Sequence, residues 1–192
     1  MMDAGKLFSS PPTFETARLR IRKLELSDAA DYFELASDPD VSAETVWDRH
    51  YSIEETIDYL TRVNQRFDLK QAIHWGIVEK ASGKLIGRTG LIHVDPVHEK
   101  AEIGYALARA YWSQGIITEA TREIVRYAFT QAGFHRLEAR CNASNPGSYR
   151  VMEKLGMSFE GVLREQLKIK GKFVDQRMYS ILRQDTEWSP SV

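Results

Sequence analysis

Glu102 stands in the run Lys100-Ala-Glu-Ile-Gly-Tyr-Ala-Leu107. Strand alternation there puts Glu102, Gly104 and Ala106 on one face, and Ala101, Ile103, Tyr105 and Leu107 on the other. A carboxylate beside two very small side chains leaves room for a ligand. Held in a groove, it can take the proton that an ammonium must lose before its nitrogen attacks. The same residue also suits a solvated strand position paired with a neighbouring Lys or Arg. Directly downstream, Tyr111-Trp-Ser-Gln-Gly-Ile-Ile-Thr-Glu-Ala120 is a turn rich in small residues that feeds an amphipathic helix. Free backbone N–H groups and a helix N-terminus converge there, an arrangement that attracts phosphate. A strand delivering its chain into such a turn can hold a nucleotide-like cofactor by its diphosphate.

The remaining composition narrows the setting. A chain of 192 residues, 43% hydrophobic, can build one substantial core and is read as one domain. Lys and Arg total 26 against 27 acidic residues, so no basic field points to nucleic acid or an anionic membrane. No apolar run reaches bilayer length and no secretory signal pattern opens the chain, which points to the cytoplasm. Cys141 is the single cysteine, so an internal disulfide and a cysteine metal cluster are excluded. It reads as a small buried residue at a strand end, with a reactive thiol as the alternative. His50, His74, His93, His98 and His135 are scattered with no zinc-like spacing, and no metal is expected.

These residues need elements to hold them. Residues 1–13 show no sustained periodicity and read as a tail. Leu19 and Ile21 alternating with Arg20 and Arg22 mark a first strand, followed by a helix capped by Ser27 and ending near Leu35. Ser52 with Glu55 forms a capping box for a helix whose apolar positions are Ile53, Ile57, Leu60, Val63 and Phe67. A hairpin spans 74–94, turning at Ala81-Ser-Gly83, with Gly87 and Gly90 suggesting a bend or bulge. After the 100–107 strand and its turn, Ile117, Ala120, Ile124 and Ala128 form the stripe of a helix stopping at Gly133. Arg136 to Cys141 is a strand, Asn145-Pro-Gly-Ser148 opens a short helix, and two last strands flank Lys170-Gly-Lys172.

Four blocks in order carry a resemblance: Glu102 to Tyr105; Tyr111 to Ala120; Tyr127-Ala-Phe129; and Asn145 to Ser148 continuing through Glu153-Lys-Leu-Gly156 with Glu160-Gly161. Together they resemble the GNAT N-acetyltransferases, and within them the branch that acetylates N-termini of ribosomal proteins. The resemblance runs from about Thr16 to about Leu182, nearly the whole chain. It implies an α+β fold with a splayed, mostly antiparallel sheet and helices on both faces, as one domain over 14–186 between tails 1–13 and 187–192. It also implies acetyl-CoA as co-substrate. Tyr105, Ala106 and Leu107 would pair by backbone with its pantetheine arm, and backbone N–H groups of Ser113, Gln114, Gly115, Ile116, Ile117 and Thr118 would grip its pyrophosphate. Ile117 departs from the Gly or Ala more usual in the family. Asn145 would contact the pantetheine or order its loop.

The resemblance makes Glu102 the candidate base. The position where many members place a proton-donating Tyr is Met152, which has no proton to give. Ser148, one helical turn earlier, could donate to the sulfur instead, or only cap its helix with Asn145. Trp47, His50, Tyr51 and Glu165 fall beside the transfer slot by the same analogy and suit an amine-bearing acceptor, although Trp47 could equally plug the sheet's edge. The implied reaction is direct transfer of acetyl to a primary amine, either a protein or peptide N-terminus or a small amine such as an antibiotic or polyamine. A non-catalytic acyl-CoA sensor is the alternative from another class. Monomer and homodimer are both compatible with the sequence.

Overall fold

A computed structural model describes residues 4–185, with side chains from Leu7 onward. The elements in chain order are α1 (Ala4–Ser9), β1 (Phe14–Glu15), β2 (Leu19–Lys23), α2 (Ala29–Ala36), α3 (Pro39–Ser42), α4 (Ile53–Asp68), β3 (Ile73–Glu79), β4 (Leu85–Asp95) and β5 (Lys100–Leu107). They continue with α5 (Ile116–Thr130), β6 (Arg136–Asn142), α6 (Pro146–Lys154), β7 (Ser158–Ile169) and β8 (Lys172–Leu182). One sheet runs in the order β1-β2-β3-β4-β5-β6-β8-β7. Every neighbouring pair is antiparallel except β5 with β6. That exception follows from α5, whose crossover returns the chain in the direction of β5.

The parallel ladder is short. It joins Lys100, Ala101 and Glu102 to Arg136, Leu137 and Glu138 and goes no further. On the outer sides both strands stay paired, Leu107 with Gly87 and Asn142 with Gln176. Two strands held apart by their other partners, but joined at one end, leave a wedge between Ile103–Leu107 and Ala139–Asn142. The resemblance led to a splayed, mostly antiparallel sheet, and this is its geometry.

Successive strand residues feed opposite faces. Ile77 and Ile86 join the larger cluster, which holds Ile103, Leu107, Leu137 and Ala139 of the sheet with Ile117, Ala120 and Ile124 of α5 and Met152 of α6. Val78 and Leu85 join a smaller cluster with Tyr32 and Leu35 of α2 and Leu60 and Val63 of α4. The register slips beside Gly87, where Ile77 opposes Gly87 and Val78 opposes Leu85, so Ile86 is the extra residue of a bulge. Gly90 keeps regular register. Its role is close approach, since a Cβ there would sit 2.4 Å from the carbonyl oxygen of Ile73.

Several local expectations are corrected. Within residues 1–13, α1 forms and Leu7 and Phe8 enter the core, with Phe8 tilted against Phe67 at 5.5 Å. Pro12 accepts a bond from the Trp75 indole at 2.9 Å. Six residues are too few to display helical periodicity, so this segment was invisible to pattern. The 187–192 tail lies outside the described residues. Ser27 does not cap α2: a 3₁₀ turn over Leu26–Asp28 precedes it, and the Asp28 carboxylate accepts the Glu25 N–H and the Arg22 fork. In α4, Ile53 and Ile57 face solvent while Thr56, Leu60 and Val63 are buried. Ser52 caps α4, but Glu55 reaches the N–H of Tyr51 rather than that of Ser52.

Candidate active site

The turn after β5 runs into a helix N-terminus that no side chain caps. Ser113 and Gly115 both hold positive φ, +61° and +74°, and Gly115 is the N-cap of α5 without a side-chain cap bond. Only glycine adopts that conformation without strain. Left-handed positions alternating along a turn aim successive N–H groups inward, and the first N–H groups of α5 have no helical partner. Ile116 and Ile117 are both buried in the larger cluster. The departure at Ile117 is thereby explained: its side chain packs into the core rather than crowding the turn.

The turn is braced from several sides. Arg18 donates to the carbonyl of Gln114 and to Glu119, each at 2.7 Å. The Gln114 amide donates back to Ala110 at 2.9 Å, so that side chain serves the turn itself. Trp112 donates its indole N–H to the Leu107 carbonyl at 2.9 Å. A cavity of about 620 Å³ adjoins the α5 N-terminus, with Arg18, Arg122 and Lys154 on its wall together with Glu119, which pairs with Arg18, and Glu123. A bent anionic cofactor fits residues of this kind: unpaired N–H groups at the turn, cations beside it, and a wedge leading inward.

On the inner side of the wedge, Tyr105 of β5 meets α6. Its hydroxyl lies 2.9 Å from Ser148 Oγ and 3.0 Å from the Ser148 carbonyl. Burial pushes the phenol's pKa upward, partly offset by the bond to Ser148. The α6 cap is made by Asn145, whose Oδ1 accepts the Ser148 N–H at 3.0 Å. Ser148 Oγ is therefore not consumed in capping. Cys141, one residue from the end of β6, is buried, and that burial pushes its thiol up. Met152 is buried in the larger cluster one turn beyond Ser148. The Arg177 guanidinium lies over the Tyr149 ring at 4.4 Å.

The opposite face of β5 is charged. Glu102 accepts a fork from Arg140, Nε to Oε1 at 3.0 Å and Nη2 to Oε2 at 2.8 Å, with His93 Nδ1 3.2 Å from Oε2. Its side chain is 14% exposed. A cavity of about 350 Å³ opens beside it, lined by His93, Lys100, Glu102, Glu138 and Arg140. Arg136 pairs with both Glu138 and Glu160, and with Ser180 it holds the Glu160 carboxyl at about 2. Glu102 thus has the ion pair that sequence reasoning set beside the base role. Arg140 itself gave no signal in the sequence, because its distance from Glu102 along the chain hides the contact.

The acceptor-side residues divide. His50 packs between Trp47, at 5.9 Å, and Tyr59, at 5.8 Å, and its Nδ1 meets Thr56 at 2.7 Å. Burial lowers the His50 pKa. Tyr51 is exposed beneath Arg49. Glu165 sits at a bulge in β7 with φ of +48° and donates its N–H to Asp175 at 2.8 Å. Trp47 and His50 are brought together, and Tyr51 and Glu165 stand on the surface. The loop carrying them is tied down: Glu44 accepts from Asn142 at 2.9 Å and Ser144 at 3.2 Å, and Lys170 donates to the Ser42 carbonyl at 2.6 Å. Among the described residues no group of three His, Cys, Asp or Glu is placed to hold a metal, and no helix is long and apolar enough to cross a membrane.

Comparison with known proteins agrees with this geometry. The acetyltransferase (GNAT) domain matches residues 18–158. The chain is 32% identical over 173 residues to an uncharacterised N-acetyltransferase of Bacillus licheniformis, p20, covering 90% of this chain and 97% of that one. It is 36% identical over 105 residues to YdaF of Bacillus subtilis, named as a candidate ribosomal N-acetyltransferase, covering 55% and 57% of the two chains. The crystal structure of a GNAT-family acetyltransferase from Bacillus anthracis superposes with a TM-score of 0.79 at 28% identity, covering 90% of this chain and 99% of that one. Wedge, anion turn, sheet order and matched domain converge, and the chain belongs to the GNAT family of N-acetyltransferases.

Proposed function

We propose that this N-acetyltransferase transfers acetyl from acetyl-CoA directly to the terminal amine of a protein or peptide in the cytoplasm. Acetyl-CoA supplies the activated acyl group. The chain's own residues do the rest: N–H groups of 113–118 hold the diphosphate, and the open edge of Tyr105–Leu107 aligns the pantetheine. Glu102, reached from the cavity of about 350 Å³, takes the ammonium proton directly or through a water. Arg140 fixes its orientation. Ser148 donates a hydrogen bond to the departing sulfur, the role left open by Met152.

The observation that carries the acceptor class is the 36% identity with YdaF over 105 residues. The exposed rim of Tyr51 and Glu165 suits a chain that extends away from its terminal amine. A second reading, a polyamine or other small amine, is favoured by 28% identity over 126 residues to the spermidine N(1)-acetyltransferase of Vibrio cholerae. Thiol release from acetyl-CoA over a panel of N-terminal peptides and small amines separates them. Turnover confined to peptides supports the first, turnover confined to small amines replaces it, and cofactor binding without any turnover would point to a sensor.

A further inference from the structure

Ser148 has a partner that the acid role alone does not require. The Tyr105 hydroxyl carries one proton and has two acceptors in reach, the Ser148 carbonyl at 3.0 Å and Ser148 Oγ at 2.9 Å. Hydroxyl protons rotate to suit their surroundings, so this pair has two arrangements that leave no group unpaired. In the first, Tyr105 donates to the carbonyl and Ser148 donates to the phenol oxygen. In the second, Tyr105 donates to Ser148 Oγ, and the serine proton is free to point elsewhere. The second needs an acceptor for that proton.

The acceptor at hand in the structure is the Cys141 thiol: Tyr105 of β5 and Cys141 of β6 stand on the two sides of the wedge, and Ser148 of α6 hydrogen-bonds to each. Asn145 anchors the Ser148 N–H at 3.0 Å, so the backbone beneath the hydroxyl is fixed. Burial of the phenol disfavours its anion, so Tyr105 serves as a donor and does not give up its proton.

We propose that Tyr105 is a positioning residue that switches the Ser148 hydroxyl between a resting bond to the phenol and a donating bond to the coenzyme A sulfur. No proton leaves either hydroxyl. As negative charge grows on sulfur, the serine proton turns toward it and the phenol proton turns from the carbonyl to Ser148 Oγ, so the thiolate leaves hydrogen-bonded and Ser148 keeps a full complement of bonds. The inference rests on the cofactor placement proposed above and adds to it a role for the Tyr105 hydroxyl.

The test uses coenzyme A itself. Thiolate absorbance of coenzyme A bound to the full chain is titrated for wild type, Tyr105→Phe, Ser148→Ala and the double variant, with affinity measured by calorimetry on each. In wild type the bound thiol should ionise at lower pH than free coenzyme A, because a donated bond favours the anion. Tyr105→Phe, which keeps the ring and loses only the hydroxyl, should move that titration back toward the free value, with affinity unchanged at pH values where the thiol is protonated and weaker where it is ionised. The double variant should move it no further than Ser148→Ala alone, since the two act through one bond. In turnover, kcat should fall about tenfold for Tyr105→Phe with the KM for acetyl-CoA unchanged. Titrations identical in wild type and Tyr105→Phe, or shifts that simply add in the double variant, overturn the proposal. Absence of turnover by wild type on every amine would sink the acceptor reading, and the titration would still decide this one.

Discussion

The two faces of β5 carry opposite chemistries a few residues apart. On one, Tyr105, Ser148 and Cys141 are neutral, largely enclosed groups sharing hydrogen bonds, and burial raises the pKa of the phenol and the thiol alike. On the other, Glu102 pairs with Arg140 and Glu138 with Lys100 and Arg136, beside a cavity that His93 also lines. An acyl transfer to an amine needs both kinds of ground. Proton removal from an ammonium is favoured where a carboxylate stays ionised and water can enter, and departure of a sulfur anion is favoured by donors fixed in advance in a dry pocket. One strand, by alternation alone, keeps the two apart.

The comparison breaks most visibly at Glu102. Glu102→Gln keeps the shape and loses the base, and we predict a fall of about a hundredfold in kcat/KM at neutral pH with acetyl-CoA affinity near that of wild type. Equal rates for the two proteins would take the base role away from this face. Arg140→Met removes the fork that holds Glu102. Both side chains retain some exposure, 29% and 14%, so the loss should lie between surface and buried pairs, about 1–2 kcal/mol in urea unfolding. An unchanged midpoint would mean that the pair is fully screened.

A buried pair on β3 and β4 should also make stability depend on pH. His74 is buried beside Arg88, their Nδ1 and Nη1 3.2 Å apart, and burial followed by the guanidinium charge holds its pKa well below 6.5. Folded His74 stays neutral while the unfolded chain takes up a proton below about 6.5, so stability is complete above that pH and falls as pH drops beneath it. One proton corresponds to about 1.4 kcal/mol per pH unit, and His74→Gln should flatten the loss seen by calorimetry between pH 6.5 and 5. A slope that survives the substitution assigns it to other groups. The smallest effect is expected at Gly104, where an added Cβ would lie 3.4 Å from the Ile92 side chain, a contact a side chain can absorb. Gly104→Ala should keep the melting point and raise the KM for the amine about threefold by narrowing the Glu102 face. An unaltered KM would place the acceptor elsewhere.

Patterns with a period of their own were legible in the sequence. The 74–94 hairpin, the 100–107 strand, the helix beginning after Gly115 and the last two strands all appear close to where alternation, caps and turn residues put them. Elements too short to show a period, α1 and α3, were not. In α4 Leu60, Val63 and Phe67 pack inward as expected, but Ile53 and Ile57 are left to solvent and Thr56 is covered in their place. The His50–Thr56 bond at 2.7 Å shows why a polar residue can sit inside.

For the site the division is sharper. Residue order alone determined that a strand would run into a small-residue turn opening a helix and that Glu102 and Tyr105 would face opposite ways, since both follow from local spacing; the meaning of Met152 came from the resemblance. Only the tertiary structure decided that Arg140 grips Glu102, that Asn145 rather than Ser148 Oγ caps α6, and that Tyr105 meets Ser148 from 43 residues away. Hydrogen bonds of this kind depend on which strands part and which stay paired, and that is set by the packing of the whole sheet.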